Sequence, residues 1–357
     1  MFIPGVTLLV NVANFGVHSA AKMRGAHILM KIVSFGTRPD EAPYLTEWSE
    51  RTGIELKQIT ATLNEDNVDQ AAGYDGITCM QTVPYSAALF QKMADLGIKF
   101  LSIRNVGLDN IDMAGAKAAG VRISNVPAYS PEAIAEFAVT MTMHLIRNMG
   151  QVEQHLREND YNGAMHYIGR NVGDCTVGVI GTGRIGRAAI QIFEGFGAKV
   201  LGYDPYPAKN TDIDYVDLDT LLRESDIIDL HVPGLPSNTH MIDAAAFDKM
   251  KDRVIIVNTA RGNLIDTQAL LDNLRSGKVA GAGIDTFEYE EQDLLNLEQH
   301  GSFNDPVWDE MMQMPNVVLS PHIAYYTETA VRNMVEFSLA NLMGFLEKGA
   351  AENEVTK

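Results

Sequence analysis

Three residues far apart in the chain carry side chains that together suit acid–base chemistry: Arg261 in NTARGNLID, Glu290 in GIDTFEYE and His322 in VLSPHIAYYTETA. An imidazole titrates nearest neutral pH, so it is the group best able to give and take a proton there. A carboxylate beside it orients the ring and favours the protonated form. A guanidinium presents a planar fork of N–H donors that matches a carboxylate and a neighbouring carbonyl oxygen. Placing hydride on the C2 carbon of a 2-oxo acid and a proton on its oxygen would use all three. Taken singly, each has a plainer reading: a helix-entry ion pair for Arg261, one carboxylate of the acidic run Glu288–Glu291 for Glu290, a strand-end polar group for His322. What joins them is position, because each follows an apolar, strand-like run directly or within a few residues.

A second constellation points to a dinucleotide. In GVIGTGRIG the pattern G-x-G-x-x-G falls directly after an apolar run and directly before a helical period. Gly181 permits a tight turn, Gly183 lets the backbone approach a pyrophosphate, and Gly186 allows close helix–strand contact; Arg184 and Ile185 present N–H groups at the helix start. Asp204 closes KVLGYD about twenty residues on, where its carboxylate can accept from both ribose hydroxyls and repel a 2′-phosphate. No arginine follows in Pro205-Tyr206-Pro207, although Lys209 is near. NAD(H) is therefore expected over NADP(H). His231-Val232-Pro233 ends another strand-like run, where His231 either lines the adenosine side or is simply a strand-end polar residue.

The elements that must position these residues alternate short apolar runs with amphipathic stretches. KIVSFG (31–36), GITCMQ (76–81), KFLSIR (99–104) and VRISNV (121–126) make a first series, as expected for βαβ units and a parallel sheet. Ser130-Pro131-Glu132 opens a helix, with Ser130 as N-cap, Pro131 at the first helical position and Ile134, Phe137, Met141 and Leu145 at helical spacing. A second series follows: TVGVIG (176–181), KVLGYD (199–204), DIIDLHVP (226–233), RVIIVNTA (253–260), GAGIDTF (281–287) and NVVLSPH (316–322). It predicts a Rossmann doubly wound parallel sheet. The helical segment after His322 is the natural return to the first domain, which makes that domain discontinuous. The expected division is 30–129 with 326–357 as the substrate (catalytic) domain and 130–325 as the NAD-binding domain, with Met30 as the natural start and residues 1–29 a leader of uncertain origin.

Composition narrows the function classes. The 357 residues are 46% hydrophobic and 21% charged, a globular balance. A formal charge of −18 repels phosphate backbones and anionic lipid heads, so no nucleic-acid partner is expected. No segment reaches transmembrane length, and the short apolar run Val6–Val12 lacks the basic flank of a secretory signal. Two cysteines, Cys79 and Cys175, outside any metal-ligand spacing, suit a reducing cytoplasm and no bound metal.

In order and spacing, GVIGTGRIG, YDPYP, HVPG, NTARGNLIDTQAL, GIDTFEYE and SPHIAYYTETAVRNM resemble the NAD-dependent D-2-hydroxyacid dehydrogenases, most nearly the D-2-hydroxyisocaproate branch, with D-lactate dehydrogenases slightly further off. The resemblance runs from Met30 to the C-terminal region. It implies a homodimer of two-domain subunits, a second domain of flavodoxin-like α/β type, and an active site in the interdomain cleft. Arg261 would bind the substrate carboxylate and carbonyl, Glu290 would pair with the catalytic histidine, and His322 would be the acid–base group. Asp285 would hold the nicotinamide amide region, Thr259 and Ala260 would border the cofactor, and Val106 and Gly107 would offer backbone N–H groups to the substrate. Tyr129 and Tyr325 would line the side-chain pocket, unless they are core rings. The family's usual serine-containing version of the segment before Arg261 is here Asn-Thr-Ala. Two other readings stand beside this one: pyruvate as main substrate, and a nucleotide-sensing, corepressor-like binding protein.

Overall fold

The structure, a computed structural model, describes residues 30–108, 110–290, 301–303 and 305–357; the expected leader 1–29 lies outside them. Two compact units form. One comprises the described residues up to Asn125 together with Val335–Lys357, the other the described residues of Val126–Met334.

In the first unit, strands β1 (Lys31–Phe35), β2 (Glu55–Gln58), β3 (Gly76–Cys79), β4 (Phe100–Ile103) and β5 (Arg122–Ser124) pair in parallel in the order β2-β1-β3-β4-β5. This is the flavodoxin-like winding. The central strands read as near-continuous apolar runs because both faces are covered. On one face Ile32 meets Leu45 and Trp48 of the helix Ala42–Thr52, and Val335, Leu339 and Leu342 of the helix Glu328–Lys348. β2, with sequence ELKQ, was not foreseen, since an edge strand exposing most of its side chains has no apolar signature.

The second unit holds seven parallel strands: β6 (Thr176–Ile180), β7 (Lys199–Tyr203), β8 (Asp214–Tyr215), β9 (Ile227–Leu230), β10 (Val254–Asn258), β11 (Val279–Ile284) and β12 (Val317–Leu319). Their order is β12-β11-β10-β9-β6-β7-β8. The winding reverses between β6 and β9, the switch point outside whose carboxyl ends doubly wound sheets bind ligands. Six of these strands were expected; the two-residue β8 is again an edge piece too short to read.

The helix Pro131–Ile146 starts as its sequence predicts, with Ser130 Oγ accepting from the Ala133 N–H at 3.4 Å. It lies wholly within the second unit. Residues 126–129 and 326–334, expected with the first domain, also group with the second. Local contacts explain this. Asn333 Nδ2 donates to the Tyr129 carbonyl at 2.6 Å, and the Tyr325 ring packs edge-on to both Tyr129 and Tyr326, with centroids 5.9 Å apart in each pair.

Candidate active site

At the end of β6 the chain turns sharply through Gly181, whose φ of +95° disfavours any side chain. A Cβ there would lie 2.6 Å from the His231 carbonyl group, and one at Gly186 would lie 1.9 Å from the Gly181 oxygen. Both glycines therefore allow close approach of backbone to backbone. Gly183 differs: a Cβ there would meet no heavy atom within 4 Å. Space thus stands open at the start of the helix Arg184–Gly195, where the first N–H groups lack intrahelical partners and favour an anion. These residues fit a dinucleotide pyrophosphate.

Asp204, just past β7, reaches this turn. Its Oδ2 accepts from Thr182 N at 2.8 Å and Thr182 Oγ1 at 3.2 Å, while Oδ1 accepts from Tyr206 N at 2.8 Å. Arg187 Nη1 donates to the Thr182 carbonyl at 2.6 Å. Thr182 and Arg187 passed unnoticed in the sequence, where one reads as a spacer between glycines and the other as a polar residue of the following helix; their role is to fix the turn.

His231 turns inward. Its imidazole is 1% exposed, Nε2 pairs with Oδ2 of the buried Asp229 at 2.9 Å, and Nδ1 has no hydrogen-bond partner. What this segment presents to the switch point is backbone, since His231 N donates to the Ile180 carbonyl at 2.7 Å and its own carbonyl crowds Gly181. Val232 is buried and Pro233 exposed.

The loops after β10 and β11 and the turn after β12 bring together two of the three proposed chemical groups in direct contact. His322 Nδ1 lies 3.1 Å from Glu290 Oε1, with the imidazole 46% exposed. Glu290 Oε2 accepts from Phe287 N at 3.3 Å, so the carboxylate is held from its other side. Crowding around the imidazole works to lower its pKa. The hydrogen bond and charge of Glu290, aided by Asp285, outweigh that and raise it above the ordinary histidine value, while the nearby Arg261 charge pulls downward. Arg261 is therefore within electrostatic reach of the ring. Its main chain is fixed by Asn258 Nδ2 donating to the Arg261 carbonyl at 2.8 Å, and Nη1 donates to the Ala260 carbonyl at 2.8 Å. Thr259 and Ala260 are both buried beside it.

His322 has φ +56°, a left-handed conformation that a side chain rarely adopts unless its surroundings enforce it. The enforcing residue is Asp285, 1% exposed at the end of β11. Its Oδ1 accepts from Ser320 Oγ at 2.5 Å and Ile323 N at 2.9 Å, its Oδ2 from Ala324 N at 3.0 Å, and its carbonyl from His322 N at 2.8 Å. Asp285, expected toward the nicotinamide amide, thus serves the histidine turn. Ser320 was missed, because its partner is thirty-five residues away and no local pattern links them.

In the first unit Val106 is partly exposed and follows β4. Its carbonyl accepts from Asn125 Nδ2 at 2.8 Å, and that of Gly107 accepts from Asn105 Nδ2 at 3.3 Å. Tyr129 is 9% exposed in the aromatic cluster with Tyr325. Among the described residues no group of three or more His, Cys, Asp or Glu could hold a metal, and no helix is long and apolar enough to cross a membrane.

Comparison with known proteins shows the family to which the chain belongs. Residues 139–324 match the family described as D-isomer specific 2-hydroxyacid dehydrogenase, NAD binding domain. The chain is 60% identical over 329 residues to a D-2-hydroxyacid dehydrogenase (NAD+) of Lacticaseibacillus paracasei, covering 92% of this chain and 99% of that one. It is 48% identical to a D-lactate dehydrogenase of Lactiplantibacillus plantarum, covering 91% and 99%. Among solved structures, a D-2-hydroxyisocaproate dehydrogenase superposes with a TM-score of 0.89 at 60% identity, covering 92% of this chain and all of the other. The D-lactate dehydrogenase of Lactobacillus jensenii, solved with NAD+, superposes with a TM-score of 0.84 at 37% identity, covering 92% and 100%.

Proposed function

The chain belongs to the D-isomer-specific 2-hydroxyacid dehydrogenases, an NAD-dependent oxidoreductase family, and on that premise we propose the residues by which it reduces 2-oxo acids to D-2-hydroxy acids. One observation carries the assignment: the 3.1 Å contact of His322 Nδ1 with Glu290 Oε1, on a histidine whose pKa is raised. With Nδ1 committed to Glu290, the transferable proton is the one on Nε2.

Bound NADH supplies the hydride that reaches C2 of the substrate. The turn Gly181–Gly186 would hold it, with Arg184 and Ile185 offering N–H groups and Asp204 accepting from the ribose hydroxyls. His231, Val232 and Pro233 would border it through their backbone, and Thr259 and Ala260 would face its nicotinamide end, beside the turn that Asp285 holds. The Arg261 guanidinium binds the substrate carboxylate and its C2 oxygen by its planar fork. As charge develops on that oxygen, His322 delivers the Nε2 proton, and Glu290 stabilises the imidazolium beforehand and keeps the ring in place afterwards.

By the family resemblance the first unit would serve as substrate domain, with Val106 and Gly107 offering backbone N–H groups. Tyr129 and Tyr325 form the side-chain pocket, which favours 2-oxo acids with an aliphatic or aromatic side chain longer than methyl. A methylene in such a pocket is worth only about 1–3 kcal/mol, so selectivity among them is broad. Met149, Leu156, Tyr161, Met165 and Ile168 expose apolar area on one stretch of the second unit, as a second copy of the chain in a homodimer would bury. The two buried, unpaired cysteines suit the cytoplasm.

NADH oxidation with a panel of 2-oxo acids, run on the intact chain and on His322→Gln, tests the assignment. The variant is expected to lose about two orders of magnitude or more in kcat while still binding NADH. Unchanged turnover removes His322 from the chemistry. A kcat/KM for pyruvate above that for 2-oxoisocaproate would make this a D-lactate dehydrogenase.

A further inference from the structure

Another histidine–carboxylate contact lies close to the His322–Glu290 pair. His240 Nε2 is 2.5 Å from Glu288 Oε1, and Glu288 Oε2 accepts from Thr267 N at 3.2 Å and Thr267 Oγ1 at 2.7 Å. Glu288 stands two residues before Glu290 on the same turn, and that turn is already tight: Phe287 N donates to Glu290 Oε2 and Glu290 N donates to the Phe287 carbonyl, each at 3.3 Å.

His240 also reaches the loop that carries Arg261. Its N–H donates to the Asn263 carbonyl at 2.8 Å, and Asn263 Nδ2 returns a bond to Thr239 Oγ1 at 3.4 Å. Gly262, next to Arg261, is pressed against the Phe287–Glu288 backbone so closely that a Cβ would lie 2.1 Å from the Phe287 oxygen. One residue on the loop after β9 is thus hydrogen-bonded to the loops after β10 and β11. It does so at φ +53°, a conformation that needs such anchoring.

We propose that His240 and Glu288 are positioning residues for the reaction: their pair ties the turn bearing Glu290 to the loop bearing Arg261, and so sets how closely Glu290 approaches His322. The charges around His240 favour its protonated, ion-paired form. Its hydrogen bond to Glu288 is the main influence, which with the Glu288, Asp266 and Asp243 charges raises its pKa above the ordinary value despite partial burial. Outer partners of this kind orient the groups that touch substrate without touching it themselves. The inference rests on the reading of His322 and Glu290 as the proton-transfer couple.

The test is the pH profile of kcat/KM for reduction of one accepted 2-oxo acid by the full chain, for the unsubstituted enzyme, His240→Gln, Glu288→Gln, the double variant and Glu290→Gln. NADH affinity by fluorescence titration and the thermal midpoint accompany each. His240→Gln is expected to lower kcat by about fivefold or more, leave NADH affinity within about twofold, and move the alkaline limb to lower pH, as a looser Glu290 contact lets the His322 pKa fall. Glu288→Gln should do the same, and the double variant should be no worse than the poorer single, since the two act as one unit. A lowered thermal midpoint with the limb unmoved, or losses that add, overturns the proposal. Should Glu290→Gln also leave the limb in place, the proton-transfer reading fails and this inference falls with it. If Glu290→Gln moves the limb and neither His240→Gln nor Glu288→Gln does, this inference alone fails. The His240 side chain is 40% exposed, so its replacement does not open the core.

Discussion

Asp285 and His322 are joined through backbone and side chain at once: the Asp285 carbonyl accepts the His322 N–H at 2.8 Å, while its carboxylate accepts three donors from Ser320, Ile323 and Ala324 around that histidine. An amide cannot replace this acceptor, because one of its two ends is an N–H₂ group facing donors. Asp285→Asn should therefore leave at least one donor unmet, costing about 1–3 kcal/mol, and release His322 from its left-handed backbone. We expect a lower thermal midpoint together with a kcat reduced by about tenfold or more, a loss equal to about 1.4 kcal/mol of barrier. A variant with the parental kcat would show that the turn holds itself.

The raised pKa of His322 sets a pH dependence with a definite sign. Reduction uses the imidazolium, so its rate falls as pH rises through that pKa; oxidation of the D-2-hydroxy acid uses the neutral ring and rises over the same range. Because Glu290 lifts the value, reduction should persist above the ordinary histidine pKa of about 6.5. Glu290→Gln removes the charge that favours imidazolium, and the reductive limb should shift to lower pH. Profiles of kcat/KM in both directions check this, and a shift to higher pH would contradict the electrostatic account.

How much of this was legible in the sequence depends on whether the cause is local. β6 and β10 read directly, because a strand covered on both faces must be apolar along its length. Ser130 and Pro131 announced a helix start because a cap acts three residues away. Arg261, Glu290 and His322 were readable as types placed after strands. The devices that orient them were not: Ser320 on Asp285, His240 on Glu288 and Asp204 on Thr182 are links between distant loops made by common polar residues, and no spacing rule carries them. For His231 the sequence left two readings open, and the side chain folds back onto Asp229 of the sheet, a contact no spacing rule carries.

The glycine turn offers a contrast between two alanines. A Cβ at Gly183 meets no protein atom, and its φ of −65° is open to any residue, so Gly183→Ala should fold with an unchanged thermal midpoint. The methyl group would instead occupy space needed by the pyrophosphate, and NADH affinity should fall by about tenfold or more. Gly186→Ala puts a Cβ 1.9 Å from the Gly181 oxygen, so both stability and NADH binding should suffer. Melting curves with and without NADH separate the cases; a destabilised Gly183→Ala would refute the assignment of that space to the ligand.

The first unit carries a buried ion pair whose removal should be felt there. Arg104 and Glu41 are both 0% exposed, with Nε to Oε1 at 2.9 Å and Nη2 to Oε2 at 3.2 Å. The guanidinium also donates to Ser34 Oγ at 3.0 Å and to the carbonyls of Phe35 and Gly36 at 2.9 and 3.1 Å, so it joins the end of β1 to the residue that opens the Asn105–Gly107 loop. Removing one partner leaves a charge buried without its counterpart, which costs about 3–5 kcal/mol, whereas replacing both by apolar side chains of similar volume is often close to neutral. Glu41→Leu and Arg104→Met should each be strongly destabilising, and the double variant less so than the two losses added. Trp48, 4% exposed on the helix Ala42–Thr52, reports on this unit in urea unfolding followed by fluorescence. Additive losses in the double variant would mean that the two residues stabilise the unit independently, and the pair would lose its claim to anchor the loop.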